Sequence, residues 1–338
     1  MRILVTGGLG FIGSALIRQL INHTDHEVLN IDKETYVAMP ESLAKIKNEK
    51  NYNFEKIDIT ASRSLQKIFQ NFKPSSVIHL AAESHVDRSI TGPEEFINTN
   101  IIGTYNLLEA ARNSWGESLS DKKFLHVSTD EVFGSLGADE EPFIEEDKYY
   151  PNSPYSSSKA SSDLLVRAWS VTYSLPAIVT NCSNNYGPWQ FPEKFIPVII
   201  SRAIKGEKIP IYGKGDNIRD WIYVEDHVQA LIKIVESNTM SSSFNIGANQ
   251  EISNLNLVEI ICSILDELEP KDKNPYFSQI EFVEDRLGHD FRYAINSKKI
   301  KDELGISFEN KLEVGLKKTV KWYLKNRDWL ESKNGQVK

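Results

Sequence analysis

Tyr155 and Lys159 stand four residues apart just downstream of Pro151 and Pro154. A helix that begins there carries both side chains on one face. A tyrosine hydroxyl titrates near about 10 in water, so it becomes a base at neutral pH only beside a cation. Lys159 supplies one, and a positively charged nicotinamide ring would supply another. The same spacing recurs by chance on exposed helices, so its meaning depends on what precedes it. An apolar run, Phe124-Leu125-His126-Val127-Ser128, leads into Thr129-Asp130-Glu131. That run reads as a strand delivering hydroxyls and two carboxyls at its C-terminal end, where open α/β sheets bind ligands. Adjacent acids usually form only a solvated turn. Beside a hydride acceptor they have a task, because oxidation of an alcohol to a ketone acidifies the neighbouring C–H, and an acid–base pair can then drive loss of water.

A hydride acceptor requires a dinucleotide site. Gly7, Gly8, Gly10 and Gly13 follow the strand pattern at 2–6 and open a helical pattern at 12–22. In that context glycines mark a Rossmann fingerprint: with no side chains in the way, the backbone of Gly7, Gly10, Phe11, Ile12 and Gly13 approaches a pyrophosphate that faces the helix N-terminus. Nineteen residues past Gly13 the second strand ends at Asp32, where a carboxylate accepts hydrogen bonds from ribose hydroxyls and repels a 2′-phosphate. NAD is therefore expected rather than NADP, although Lys33 alongside weakens the repulsion. Asp58 and Ile59, at the third strand's end, are candidates to cover the adenine.

Further strand patterns at 27–31, 53–57, 76–81 and 123–128 alternate with helical patterns at 62–72, 94–114 and 155–173. This alternation predicts a Rossmann-type, doubly wound parallel sheet in an α/β fold. From about Asn181 the chain is richer in Pro, Gly and Asn, and helical patterns return at 194–205, 224–237, 254–268 and 312–325. The expected organisation is an NAD-binding domain over 1–180 with return segments near 215–245, a smaller mixed α/β substrate lobe over 181–325, and a flexible tail over 326–338. Trp169, Tyr173 and Leu165 have helix spacing and read as core or interface residues.

The 338 residues carry a net charge of −8, which speaks against a nucleic-acid or membrane-surface binder. Cys182 and Cys262 lack metal-type spacing and read as buried thiols of a reducing compartment. No metal is expected. The N-terminus reads directly as a strand, and no apolar run approaches the length of a spanning helix, so a cytoplasmic protein is expected.

Together these features resemble the extended short-chain dehydrogenase/reductase family, through Thr6-Gly7-Gly8-Leu9-Gly10-Phe11-Ile12-Gly13 and Tyr155-Ser156-Ser157-Ser158-Lys159. Within it the chain is similar to the dTDP-glucose 4,6-dehydratases, through Ala81-Ala82-Glu83-Ser84-His85-Val86-Asp87-Arg88-Ser89-Ile90, Ser128-Thr129-Asp130-Glu131-Val132-Phe133-Gly134, Asn181-Cys182-Ser183-Asn184-Asn185-Tyr186-Gly187-Pro188 and Arg219-Asp220-Trp221. The resemblance implies that NAD takes hydride from carbon 4 of the sugar while Tyr155, assisted by Lys159 and Thr129, removes the hydroxyl proton. Asp130 then protonates the departing carbon-6 hydroxyl, Glu131 removes the carbon-5 proton, and the hydride returns to carbon 6.

It further implies Leu80, Ala81, Ala82, Ser84, Thr99, Ser128 and Asn185 beside the cofactor. The nucleotide sugar would meet Ser84, His85, Thr129, Asn184, Lys194, Pro210, Ile211, Tyr212, Arg219, Asn254, Arg286, His289 and Tyr293. Arg219 is also a physically apt diphosphate ligand, since a guanidinium is a planar, permanently charged donor fork. Leu287 and Phe291 depart from the Pro and Arg usual in the family, which bears on the nucleotide pocket. A homodimer pairing the helices at 94–114 and 155–173 is implied as well. The competing readings are a 4-epimerase, a 4,6-dehydratase of a UDP-, CDP- or GDP-sugar, and an NAD-binding scaffold without chemistry.

Overall fold

The computed structural model describes residues 1–239, 241–285, 288–308 and 310–335. The first half alternates strand and helix: β1 (Arg2–Thr6), α1 (Phe11–His23), β2 (Glu27–Asp32), β3 (Tyr52–Lys56), α2 (Ser62–Phe72), β4 (Ser76–His79), α3 (Val86–Thr91), α4 (Pro93–Phe96), α5 (Thr104–Trp115), β5 (Lys123–Thr129), α6 (Pro154–Tyr173) and β6 (Ala177–Cys182). There follow β7 (Asn184–Tyr186), α7 (Phe195–Lys205), β8 (Ile209–Tyr212), β9 (Ile218–Tyr223), α8 (Val224–Glu236) and β10 (Ser243–Ile246). The chain continues through β11 (Glu251–Ser253), α9 (Asn254–Leu268), β12 (Ile280–Val283), β13 (Arg292–Tyr293), α10 (Lys298–Leu304), α11 (Leu312–Lys325) and α12 (Arg327–Asn334).

Seven strands form one sheet in the order β10-β6-β5-β4-β1-β2-β3, with every neighbouring pair parallel. Both faces are covered, which explains why the strands read as nearly unbroken apolar runs. Ile3 and Val5 point to one side, against Leu16, Ile17 and Leu20 of α1 and Val228 and Leu231 of α8. Leu4 points to the other, with Leu65 and Phe69 of α2, Leu107 and Leu108 of α5 and Val166 of α6. This period of two fixes the register, because a one-residue slip would turn each set to the wrong face. The order reverses between β1 and β4, opening a crevice beyond their C-terminal ends.

The second lobe has its own core, in which Ile196 and Ile200 of α7 meet Trp221, Leu257, Leu316 and Tyr323. It carries β11, β9 and β13 with β7 alongside, and the separate pair β12–β8. The segment after β9 returns to the first lobe, where α8 packs on α1 and β10 pairs with β6.

Two expectations need correction. The helix expected over 94–114 is broken: after α4 it widens into a π-helical turn, Ile97–Gly103, before α5. Gly103 approaches Ile59 so closely that a Cβ would lie 2.4 Å from its Cδ1. The wider turn turns Thr99 and Asn100 inward, and both are buried. Within the tail expected to be flexible over 326–338, Arg327–Asn334 form α12, and residues 336–338 lie outside the described residues. Leu330 is buried, Trp329 packs on Trp189 and Trp322, and Trp329 Nε1 donates to Glu41 Oε1 at 2.8 Å. Two anchoring residues do not make an apolar stripe, so periodicity gave no signal there.

Candidate active site

The glycine turn behaves as a phosphate cradle should. Gly7 has φ +73° and lies against Ala81, whose Cα would stand 2.7 Å from an added Cβ. Gly13 closes the turn, with an added Cβ only 2.2 Å from Gly7 O. Gly10 is the open position, its nearest contact being Gly7 O at 3.3 Å. The turn lines a cavity of ≈ 320 Å³ together with Phe11, Ile12 and the start of α1. At the end of β2, Asp32 Oδ2 accepts Leu9 N at 3.0 Å and Oδ1 accepts Glu34 N at 2.8 Å. Burial raises its pKa, and these two backbone donors oppose the rise. Lys33, which might have welcomed a 2′-phosphate, is paired with Glu83 at 3.0 Å and donates to Thr99 Oγ1 at 3.3 Å. The cradle, the placed carboxylate and the engaged lysine fit NAD.

The same cavity reaches the catalytic candidates. Ile59, Leu80, Ala81, Ala82, Ser84, Thr99, Ser128, Thr129, Asp130, Glu131, Tyr155, Lys159, Asn184, Asn185 and Lys194 line it with Asp32 and Lys33. Asp58 does not. Its Oδ1 accepts both the backbone N–H and the hydroxyl of Thr60 at 2.8 Å in a local turn.

Helix α6 starts where it does because Ser153 caps it. Ser153 Oγ accepts Ser156 N and Ser156 Oγ accepts Ser153 N, each at 3.0 Å, with Pro154 in the first turn. Such a cap is worth about 1 kcal/mol. It sets Tyr155 and Lys159 over the end of β5, where Lys159 Nζ donates to Val127 O at 2.9 Å. Burial and then Glu131 push the Tyr155 hydroxyl well above its usual range, while Thr129 opposes them. The chain's own lysine does not by itself make this tyrosine a base.

Asp130 is 3% exposed; Thr129 Oγ1 donates to its Oδ1 at 3.3 Å, and its Oδ2 has no hydrogen-bond partner among the described residues. Burial foremost, then Glu131 and Asp220, hold its pKa well above the carboxylate range, against the opposing influence of Arg219 and Thr129. An ionised carboxylate left without a partner here would cost several kcal/mol, so the neutral acid is favoured. A carboxyl held in this way is suited to donate a proton. Glu131, one residue on, is only partly buried.

Of the residues expected at the sugar nucleotide, Ser84, Thr129, Asn184 and Lys194 line the cavity, while Pro210, Ile211, Tyr212, Arg219, Asn254, His289 and Tyr293 lie on the second lobe outside that lining, with Arg219 and Tyr293 electrostatically in touch with the acids. Arg219 donates to the carbonyls of Ile218, Asp290 and Phe291 at 2.7, 2.9 and 3.2 Å, with its guanidinium 4.2 Å from the Tyr293 ring centre. Tyr293 OH donates to Asp290. Tyr212 meets the His289 ring edge-on at 6.2 Å, and His289 Nδ1 lies 2.7 Å from Asp285 Oδ1. On β8 the alternation of a strand turns Ile211 into the lobe core, so that side chain does not face the site, whereas Pro210 and Tyr212 point away from the core. Asn254 opens α9, and its N–H donates to Asn217 O at 2.9 Å. Lys194 Nζ donates to Ser84 O at 2.9 Å, while His85 caps α3 by accepting Arg88 N at 3.4 Å and does not line the cavity. Arg286 and Leu287 lie outside the described residues.

Sequence reasoning missed three sets of residues. Asn100 accepts Glu83 N at 2.9 Å and donates to Glu83 O at 3.0 Å and Ser158 Oγ at 2.8 Å, fixing the 81–85 loop to α6. Across the cavity mouth Tyr36 OH donates to Glu193 Oε2 at 3.0 Å. Arg88 stacks 3.9 Å from the Tyr36 ring centre, and Phe191 packs edge-on at 5.8 Å. Asn185 Oδ1 accepts from His227 Nδ1 at 2.8 Å, which fixes the cavity wall from behind. All three sets join distant segments, and Asn100, Tyr36, Phe191, Glu193 and His227 belong to no sequence motif.

A Rossmann-ordered sheet whose glycine cradle shares one cavity with a Tyr–Lys helix and a Thr-Asp-Glu strand end defines a dinucleotide-dependent enzyme of the extended short-chain dehydrogenase/reductase class. Comparison narrows this. A family model described as GDP-mannose 4,6 dehydratase matches residues 4–319. A dTDP-glucose 4,6-dehydratase of Shigella flexneri is 54% identical over 98% of this chain and 95% of its own length. A solved dTDP-glucose 4,6-dehydratase from Streptomyces venezuelae, with NAD bound, superposes with a TM-score of 0.90 at 38% identity, over 98% of this chain and 100% of that one. One from Bacillus anthracis, in complex with NAD, gives 0.87 at 40% identity, over 98% and 99%. The chain belongs to the dTDP-glucose 4,6-dehydratase family.

Proposed function

We propose that this enzyme is a hydro-lyase that converts dTDP-glucose to dTDP-4-keto-6-deoxyglucose with NAD as a recycled cofactor. The observation that carries the reading is Asp130: a buried carboxyl whose burial favours its protonated form, beside Glu131 and lining the cavity that Tyr155 and Lys159 also line. A 4-epimerase needs no such acid pair. Held by the Gly7–Gly13 turn and Asp32, a bound NAD would supply a hydride acceptor for carbon 4, positive charge beside Tyr155 and a hydride donor for carbon 6. Tyr155, with Lys159 and Thr129 beside it, removes the carbon-4 hydroxyl proton. Asp130 delivers its proton to the departing carbon-6 hydroxyl, and Glu131 takes the carbon-5 proton. Because nothing is consumed from the cofactor, it need not leave between turnovers.

The first lobe, residues 1–180 with α8 and β10 returning to it after β9, holds the cofactor in this reading; the rest of residues 181–325 hold the sugar nucleotide, with Arg219 of β9 on the diphosphate side. We place the enzyme in the cytoplasm as a homodimer. The dimer is supported by apolar side chains left open on neighbouring helices: Ile97, Ile102 and Tyr105 on one, Leu164, Val171 and Tyr173 on α6. Light scattering should give twice the 38.4 kDa chain mass, and a monomer would refute this.

The deciding experiment offers purified protein dTDP-glucose and, separately, UDP-glucose, and follows products by mass spectrometry. A dTDP product lighter by one water bears the reading out. Unchanged mass with a new carbon-4 epimer would replace it with epimerisation.

A further inference from the structure

One helical turn beyond Lys159, α6 carries a second ionisable residue that does not line the cavity. Asp163 is 2% exposed. Its Oδ2 accepts Ser128 Oγ at 2.8 Å and lies 3.4 Å from Asn181 Nδ2, which also donates to Thr129 O at 3.1 Å. Its Oδ1 stands 3.1 Å from His126 Nε2 but is not aligned as a hydrogen-bond acceptor. Lys159, on the same face of the helix, donates to the carbonyl of Val127, the residue before Ser128. Ammonium and carboxylate therefore rest on consecutive residues of β5, the strand that delivers Thr129 and Asp130.

The groups that face Asp163 come from four directions: His126 and Ser128 from β5, Asn181 from β6, Tyr149 from the preceding loop and Lys159 from α6. His79 lies behind His126, ring to ring at 5.0 Å. Burial holds both histidines well below their usual range, so neither brings a positive charge near neutral pH. Among these groups Lys159 alone is a cation.

We propose that Asp163 is a positioning residue for the oxidation step: held by Ser128 and Asn181, its carboxylate is the counter-ion that keeps Lys159 protonated on the Val127 carbonyl beside Tyr155. The ionisations agree. Burial raises Asp163 to about 6 while Lys159 pulls it down, and burial lowers Lys159 while Asp163 pulls it up. Above about pH 6, Asp163 is thus largely ionised. Without it, Lys159 is a buried ammonium with only a neutral carbonyl to hold its proton, and that proton leaves at lower pH.

This inference rests on the proposed role of Tyr155 and Lys159. Its test is the pH profile of kcat and KM for dTDP-glucose in the holoenzyme, for wild type, Asp163→Asn and Asp163→Glu. The alkaline limb of kcat should move down by about one pH unit or more in Asp163→Asn, with KM within about twofold, and Asp163→Glu should bring the limb back. A profile that matches wild type, or that falls by one factor at every pH, overturns the proposal. Should Asp163→Asn not fold, melting curves of Lys159→Met and of Lys159→Met with Asp163→Asn decide. Removal of the lysine should rescue folding of the asparagine variant, whereas equal disruption in both backgrounds overturns the pairing. Full turnover by Lys159→Met would instead defeat the assignment of Lys159 itself.

Discussion

The floor of the cavity and its mouth are built by different means. The floor is regular structure: Thr129 and Asp130 at the end of β5, Tyr155 and Lys159 in the first turns of α6, with a serine capping box fixing where the helix starts. The mouth is made of loops. Residues 35–39 of the first lobe face residues 190–194 of the second, joined by Tyr36, Glu193, Arg88 and Phe191 and by Lys194 on Ser84 O. A strand end and a capped helix hold a proton donor to fractions of an ångström, which chemistry requires. Loops can part and rejoin, which loading a cofactor requires. Damage to the floor should therefore stop the reaction with the cofactor in place, and damage to the mouth should release the cofactor with the chemistry intact.

The largest effect should come from Tyr155→Phe. Removing the hydroxyl should lower turnover of dTDP-glucose by about a thousandfold or more, while the protein keeps its fold and its NAD. Product mass and cofactor content of the purified variant measure both sides. A variant that lost NAD together with activity would blur the distinction between floor and mouth. Asp130→Asn combined with Glu131→Gln should be nearly as severe overall but different in kind. Oxidation continues and elimination stalls, so the near-ultraviolet absorbance of reduced cofactor builds up on adding substrate. Absence of that absorbance, with turnover lost, would show that the acids also serve the first step.

Tyr36→Phe tests the mouth. The hydroxyl donates to a largely buried carboxylate, a bond worth about 1.5–3 kcal/mol, and loss of that contact should speed NAD dissociation by about tenfold or more. Cofactor fluorescence after dilution reads the rate, and kcat at saturating NAD should stay within about twofold of wild type. An unchanged dissociation rate would show that these loops do not retain the cofactor.

The same contrast governs how much could be read from sequence. Strands, helices and catalytic floor were legible because each announces itself locally: an apolar run, a glycine turn, Thr129-Asp130-Glu131, and Tyr155 four residues before Lys159. The mouth was not, since Tyr36 and Glu193 are 157 positions apart and neither belongs to a motif. The π-helical turn at Ile97–Gly103 escaped because one widened turn leaves the apolar rhythm on both sides intact. The turn at Asp58 was not legible either: a threonine two residues later engages Oδ1 of an acid that the sequence offers only as a strand-end carboxylate. Pro210, Tyr212, Arg219, Asn254 and Tyr293, expected at the sugar nucleotide, lie on β8, β9, α9 and β13, elements of two small sheets and a helix that no local pattern brings together.

His227 gives the smallest and most conditional effect, because it touches the site only through Asn185. Burial lowers its pKa from the usual 6.5 to about 3, and its Nε2 has no hydrogen-bond partner among the described residues. The folded protein therefore keeps this imidazole neutral where the unfolded chain would protonate it. Its effect on stability is absent above about pH 6.5 and grows as pH falls from there toward about 3, by about 1.4 kcal/mol for each pH unit. Asp163 opposes this trend, since its raised pKa makes the folded state gain stability as pH falls from about 6 toward the ordinary aspartate value. His227→Gln keeps an N–H for Asn185 Oδ1 and removes the titration. Its melting temperature should decline less steeply than that of wild type between about pH 6.5 and pH 4.5, with the two curves parallel at higher pH. Curves parallel throughout would mean that His227 takes up its proton in the folded enzyme as readily as in the unfolded chain, and the wall behind Asn185 would then be wetter and looser than the floor beside it.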